Sequence, residues 1–331
     1  MRTYILRKLG IYLLTFWAAV TLNWALPRFM PGDPVLLMVA RMGAQDPLHL
    51  QQLHGFFERI FGLDLPIWQQ YLNYWVALFR GDLGISVWMF PTPVADVITR
   101  ALPFTLGLMI PSILLSWIVG NKMGAWAARN RKLDNTIVPV SYILTGMPFM
   151  WLAMLLAWAF GIALGWFPVA GGFAFTLAPS WSWTFVGSLV RHWVLPFLSL
   201  FIVQLGGWAI GMRNLIIYEL EADYSNYMDA LGAPPSLIRR YAFRNAVLPQ
   251  VTGLALQLGT IVAGAVGTEI VFAYPGLGSL ILNAVNSQDF FLLQGVMLFI
   301  VIGVLIANFI VDIVYIILDP RTRTGMQGAT A

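Results

Sequence analysis

Six stretches of this chain are long and apolar enough to cross a lipid bilayer, and that leaves few folds open. A helix needs about 20 mostly apolar residues to span the hydrocarbon core, where every backbone N–H and C=O must be satisfied inside the segment. The stretches run from about Leu9 to Leu26, Leu102 to Ala128, Thr136 to Leu164, Trp193 to Met212, Val247 to Phe272 and Phe291 to Ile317. Of the 331 residues 59% are hydrophobic and 10% charged, against roughly 45–50% and about 25% in soluble domains. No soluble core could hide that surface. The expected class is an all-α polytopic membrane protein with six transmembrane helices.

The placement of charge predicts the orientation. Cytoplasmic loops are enriched in Lys and Arg. Arg2, Arg7 and Lys8 precede the first span, and Lys122, Arg129, Arg131 and Lys132 outweigh Asp134 between the second and third. Arg321 and Arg323 follow the sixth. From Arg28 to Arg100 five arginines face six acids, and the other two loops on that side carry only Arg191 and only Asp289. Six spans with both termini cytoplasmic satisfy every count. The first span reads as an uncleaved anchor, because its apolar run exceeds a signal peptide's and Pro27-Arg28-Phe29-Met30-Pro31-Gly32-Asp33-Pro34 follows instead of a cleavage site. No Lys/Arg run exceeds two residues, so there is no nucleic-acid footprint, and the absence of cysteine excludes disulfides and thiolate chemistry.

The segment after the first span is too long for a turn. Two amphipathic stretches, about Pro47–Ile60 and Pro66–Phe79, carry apolar residues at helical spacing, each opened by a proline suited to a first turn. They read either as a cap over the external mouth or as a docking surface for an external partner. The loop between the fourth and fifth spans, Arg213 to Ala246, is more informative. Asp223-Tyr224-Ser225-Asn226-Tyr227-Met228-Asp229-Ala230-Leu231-Gly232 suits a short helix closed by glycine. Ala233-Pro234-Pro235 and a second stretch, Ser236–Phe243, follow, and Arg244-Asn245-Ala246-Val247-Leu248-Pro249 leads into the fifth span. The expected shape is a helix–turn–helix knob projecting into the cytoplasm.

Asp223-Tyr224, Ala230, Gly232 and Arg244-Asn245-Ala246-x-Leu248-Pro249 resemble the EAA loop of importer permeases of the ATP-binding cassette class. More narrowly, the chain resembles the first permease subunit of the dipeptide/oligopeptide family almost end to end. The likeness rests on Arg7-Lys8-Leu9, Pro31-Gly32-Asp33-Pro34, Gly62-Leu63-Asp64-x-Pro66, Gln70-Tyr71, Arg80-Gly81-Asp82-Leu83-Gly84-x-Ser86 and Pro103-x-Thr105-Leu106. It continues through Glu269-x-x-Phe272-x-x-Pro275-Gly276-Leu277-Gly278 and Asp312-x-x-Tyr315-x-x-x-Asp319-Pro320-Arg321. The chain departs from the family pattern at Met228, Asp229 and Leu231, usually small or basic, at Pro234-Pro235, usually polar, and in a Gly232-to-Pro249 spacing one residue short.

The resemblance implies a type I importer fold in the inner membrane of a prokaryote. Residues 1–29 then hold the N-terminus and first span, 30–101 an external helical segment, and 102–331 a five-helix core with a coupling loop at about 213–246. It implies a second homologous permease, two cytoplasmic ATPase subunits that bind ATP and Mg²⁺, and an external substrate-binding protein. In the loop Tyr227, Met228 and Leu231 would anchor in an ATPase cleft, Gly232 would allow close approach, and Arg239, Arg240 and Arg244 would pair with acids. Asp223, Tyr224, Asp229, Ala230 and Asn245 complete the coupling set. The chain has no phosphate-binding loop of its own, since none of Lys8, Lys122 and Lys132 follows a glycine. Nor has it His-Glu-x-x-His or Gly-x-Ser-x-Gly, so neither catalysis nor a cofactor is expected in the chain.

Remaining polar residues have two readings each. Glu269 and Asp312 lie late in spans, where a carboxylate marks a pathway or gate, or simply pairs or snorkels at a helix end. His49 and His54 lack a third ligand, so no metal site is expected. Trp75, Trp88, Trp181, Trp183 and Trp193 suit an interfacial belt, or aromatic faces for sugar rings. The expected cargo is a peptide, with an oligosaccharide as the alternative. An ion-driven transporter would show inverted repeats and leave the loop idle, and a membrane scaffold would leave it idle too.

Overall fold

The computed structural model describes residues 2–29, 35–36, 39, 47–60, 62–259 and 261–318, with side chains except at 2–8, 26–27, 47, 255, 259, 261–265 and 310–318. The 30–34 exit, Asp319-Pro320-Arg321 and Arg323 lie outside the described residues, and the side chains of Arg2, Arg7, Lys8, Asp312 and Tyr315 lie outside the described ones. The described residues form helices joined by turns and loops: α1 Arg2–Ala25, α2 Pro47–Ile60, α3 Ile67–Phe79, α4 Val94–Ala127, α5 Arg131–Gly146, α6 Phe149–Leu156, α7 Trp183–Leu220, α8 Asp223–Ala230, α9 Pro235–Gly259, α10 Ile261–Val271, α11 Leu277–Asn286 and α12 Phe290–Leu318. A π-helical turn, Ala157–Ala163, extends α6.

Among these, α4, α7 and α12 are long and apolar enough to cross a membrane, and α5 with α6 makes a fourth if the pair is one span. The first expected span falls on α1, whose Leu9–Ala25 part is a shorter apolar helix. The fifth falls on α9 and α10, with residue 260 between them outside the described residues.

Two expectations are corrected. The third stretch is not one rod: α5 and α6 meet at a 99° bend. Proline clashes with a helical residue before it, so Met147 is extended (φ −80°, ψ 128°) and Pro148 becomes the N-cap of α6. Nor is Ser236–Phe243 a separate helix. It is the first part of α9, which runs unbroken through Pro249 to Gly259. An internal proline removes one backbone hydrogen bond but need not end a helix within a bundle.

The chain divides into two compact units, Met1–Thr105 with Pro275–Leu305, and Leu106–Tyr274 with Ile306–Ala331. In the first, α3 packs on α1 through aromatic edges, Trp24 with Tyr71 at 5.1 Å and Phe16 with Trp75 at 6.2 Å. Buried Asn23 donates to the Gln294 carbonyl oxygen at 2.8 Å. Asp289, also buried, caps α12 by accepting from Leu292 N at 3.0 Å, and its other oxygen takes Ser86 Oγ at 2.5 Å and Trp88 N at 2.9 Å. The Thr105 hydroxyl accepts from Leu277 N at 2.8 Å. Motifs distant in sequence thus meet as donor and acceptor.

In the second unit α7 is the central post, and small residues let its neighbours reach its backbone. A methyl group at Gly206 of α7 would collide with the Ser141 carbonyl of α5. One at Gly124 of α4 would collide with the Ala209 carbonyl and lie 2.9 Å from Arg213 N.

Candidate functional site

The loop after α7 is built by local capping and one carboxylate. α8 begins after extended Ala222, and buried Ser225 donates from Oγ to the Glu219 carbonyl oxygen at 2.7 Å. It ends in a Schellman turn: Gly232 N donates to Asp229 O at 2.8 Å and Ala233 N to Met228 O at 3.0 Å. That turn puts Gly232 at φ +76°, a conformation glycine adopts without cost. A Cβ added there would meet nothing within 4 Å, so the glycine faces open space.

α9 is oriented by a buried stripe at four-residue spacing, Ile238, Ala242 and Ala246. Ala246 joins Ala125 of α4 and Met212 and Ile216 of α7 in one apolar cluster, with Phe243 packed against it. Holding that stripe inward turns Arg239, Arg240 and Arg244 outward, and all three are exposed.

Glu219, which sequence reasoning counted only as a charge, ties the two helices together. One carboxylate oxygen accepts from Tyr224 Oη at 2.8 Å and from Asn245 Nδ2 at 3.2 Å. Burial first, then the facing carboxylate, pushes the Tyr224 phenol above its ordinary value. At the root of the loop Arg213 grips Asp134 of α5 with two bonds, Nε to Oδ1 at 2.8 Å and Nη2 to Oδ2 at 2.7 Å.

The predicted coupling residues therefore fall into two sets. Tyr224 and Asn245 face inward to Glu219, while Met228 and Asp229 close the turn through their backbones. Tyr227 (66% exposed) and Leu231 (69%) present apolar surface to solvent, and Asp223 and Ala230 are exposed beside them. Arg239 and Arg240 line a cavity of about 400 Å³ with Ser236, Phe243 and Arg129. Arg129 was legible only as part of a loop charge count. Among the described residues no carboxylate pairs with Arg129, Arg239, Arg240 or Arg244, so the loop offers forked donors without acceptors.

Glu269 lies elsewhere, fully buried on α10, next to Thr268, whose hydroxyl is 3.5 Å from that of Ser199. It is withdrawn from the surface rather than snorkelled. His54 sits 3.5 Å from Glu58 on α2, and His192 Nδ1 is 2.7 Å from the Ser188 carbonyl oxygen. Trp181 and Trp183 are almost wholly exposed, whereas Trp193 donates to the Gly107 carbonyl at 3.0 Å and stacks on Phe197.

Comparison with known proteins gives a consistent picture. Residues 113–324 match the family described as binding-protein-dependent transport system inner membrane component. The chain is 32% identical over 339 residues to a di/tripeptide transport system permease protein of Pseudomonas aeruginosa, covering 98% of this chain and 99% of that one. It is 32% identical over 342 residues to the dipeptide transport system permease protein of Escherichia coli K12, with the same coverage. It is also 29% identical over 324 residues to the oligopeptide transport system permease protein of Bacillus subtilis, covering 97% of this chain and 99% of that one.

Proposed function

The chain belongs to the family of binding-protein-dependent transport system inner membrane components, and from that premise we propose how it works. It is a permease subunit of a binding-protein-dependent peptide importer, a multi-pass protein of a bacterial inner membrane with the type I importer fold. Both termini and the α8–α9 loop face the cytoplasm, in keeping with the Lys/Arg bias. The loop seats in a cleft of an ATPase subunit. Two such subunits bind ATP and Mg²⁺, since the chain carries no phosphate-binding loop, and a second, homologous permease completes the path. An external binding protein delivers the cargo.

The observation that carries the coupling role is the division of the loop into a braced side and a presented side. The Glu219 network and the Schellman turn hold α8 against α9 and α7. Tyr227 and Leu231 are left in water and the arginines without acids, a combination that fits an apolar pocket rimmed by carboxylates. ATP binding closes the ATPase pair and moves the two seated loops. Because α9 continues unbroken from the loop into the fifth span, that displacement reaches the spans as motion of a rigid rod.

The test is co-purification of the ATPase subunits with the full chain and with Gly232→Asp. The open space at Gly232 means an aspartate there clashes with nothing in this chain, and Asp is among the residues that tolerate positive φ. The variant should insert and purify in normal yield while losing the ATPase. Retention of the ATPase by the variant, or its absence from the natural chain, removes the coupling assignment.

A further inference from the structure

The second unit holds a cavity of about 590 Å³ between α5, α6, α7 and α9, within the 300–1,000 Å³ range of small-ligand sites. Its lining follows helical spacing on two helices: Gln204, Gly207, Trp208, Gly211 and Leu215 on α7, and Gln250, Gly253 and Gln257 on α9. None of its lining residues is ionisable. The polar side-chain groups of its described lining are three carboxamides, the Thr145 hydroxyl and the Trp208 indole N–H. Gln257 Nε2 donates to Gln204 Oε1 at 2.7 Å, and Ser116 Oγ reaches the same oxygen at 3.4 Å. Gln250 is different: it is 6% exposed and its side-chain oxygen has no hydrogen-bond partner among the described residues. The space beside it is kept by Gly211, where a Cβ would come within 2.8 Å of Gln250 Nε2.

Amides on spans often serve as glue between helices, and the Gln204–Gln257 pair does so. A buried carboxamide oxygen with no acceptor role filled, at the wall of a cavity among spanning helices, is a cost unless something binds there.

We propose that Gln204, Gln250 and Gln257 line the solute path and read the main chain of a passing peptide. The inference rests on the peptide-importer reading above. A carboxamide presents one carbonyl and one N–H₂ group, the complement of a peptide bond, so it binds any peptide whatever its side chains. Trp208, Phe149 and Val203 supply apolar wall for those side chains. The absence of charge in the lining has a use: termini of the peptide meet no ion-pair partner, so the contact is weak enough to release. Gln250 and Gln257 lie about 10 Å apart along α9 at about 1.5 Å rise per residue, the span of about three residues of an extended peptide, so each meets a different part of the solute's main chain.

The experiment measures uptake of radiolabelled alanyl-alanine, and of its analogue methylated at the peptide nitrogen, by the complete importer in proteoliposomes. The natural chain is compared with Gln250→Leu, Gln257→Leu and Gln250→Asn, and recovery of partner subunits is measured in each. The Leu variants should lower alanyl-alanine uptake about tenfold, as for one lost hydrogen bond, and narrow its preference over the methylated analogue. Gln250→Asn should fall between, with partner subunits recovered normally throughout. Unchanged uptake and preference overturn the proposal, as does lost uptake accompanied by lost partner subunits, which makes the amides assembly contacts. If the natural importer takes up no alanyl-alanine, the peptide reading itself falls and takes this inference with it. Uptake that ignores the substitutions removes only this inference.

Discussion

The α8–α9 loop and the helices around α7 belong to one unit, yet they are held by different physics. Around α7, contact is backbone against backbone: Gly124 and Gly206 sit where no side chain fits, and dispersion supplies the attraction that water cannot. In the loop the ties are hydrogen bonds to one carboxylate and a glycine turn, with apolar Tyr227 and Leu231 left outside. A rigid bundle resists change of shape at one methyl group. A braced, exposed loop tolerates surface change and keeps its sites for a partner.

Substitutions should separate the two regions by size of effect. Gly206→Val drives a branched side chain into the Ser141 carbonyl and should cost about 3 kcal/mol or more, read as a lowered unfolding temperature and reduced folded yield in detergent. A tolerated valine breaks the comparison at its root. Glu219→Ala strands Tyr224 Oη and Asn245 Nδ2 and should cost about 1–2 kcal/mol. The loss should be confined to faster hydrogen exchange in α8 and the start of α9, and Glu219→Gln should recover part of it.

The same tie carries a pH signature. The folded-state phenol of Tyr224 titrates above its unfolded value, so its contribution is complete below the ordinary tyrosine value of about 10 and is lost as pH rises through the higher native value. Once the base catalysis common to all amides is divided out, protection of α8 should fall in that alkaline range, and Tyr224→Phe should remove that pH dependence. A double-mutant cycle on Asp134 and Arg213, both partly exposed, should give a coupling of about 1 kcal/mol. Smallest of all, Tyr227→Ser or Leu231→Ser should change stability by less than about 0.5 kcal/mol while lowering ATPase recovery. A stability loss as large as that of Glu219→Ala would mean these side chains hold the loop instead of presenting it.

Much of this was legible in advance. α2 begins and ends where the proline and the apolar spacing place it, and α3 follows Pro66 as expected. Gly232 was identifiable as a helix terminator because only local geometry was at stake. The bend at Met147-Pro148 was harder to read: Pro139 and Pro148 both interrupt the apolar run from Thr136 to Leu164, yet Pro139 sits inside α5 and only Pro148 starts a new helix. Glu219 could not be singled out, since its partners lie five and 26 residues away and become neighbours only when α9 folds back beside α7. Arg129 joined Arg239 and Arg240 for the same reason.

By itself the sequence determined that the chain lives in a membrane, where its apolar runs lie, and that glycine and proline punctuate the loop. These follow from burial of apolar surface and from φ restrictions that act within a few residues. Only the tertiary structure decided which loop residues brace and which face outward, and that Gln250 stands at a cavity with a side-chain carbonyl unmet among the described residues. Those properties depend on distances between helices far apart along the chain, which are set by how small residues let the backbones pack.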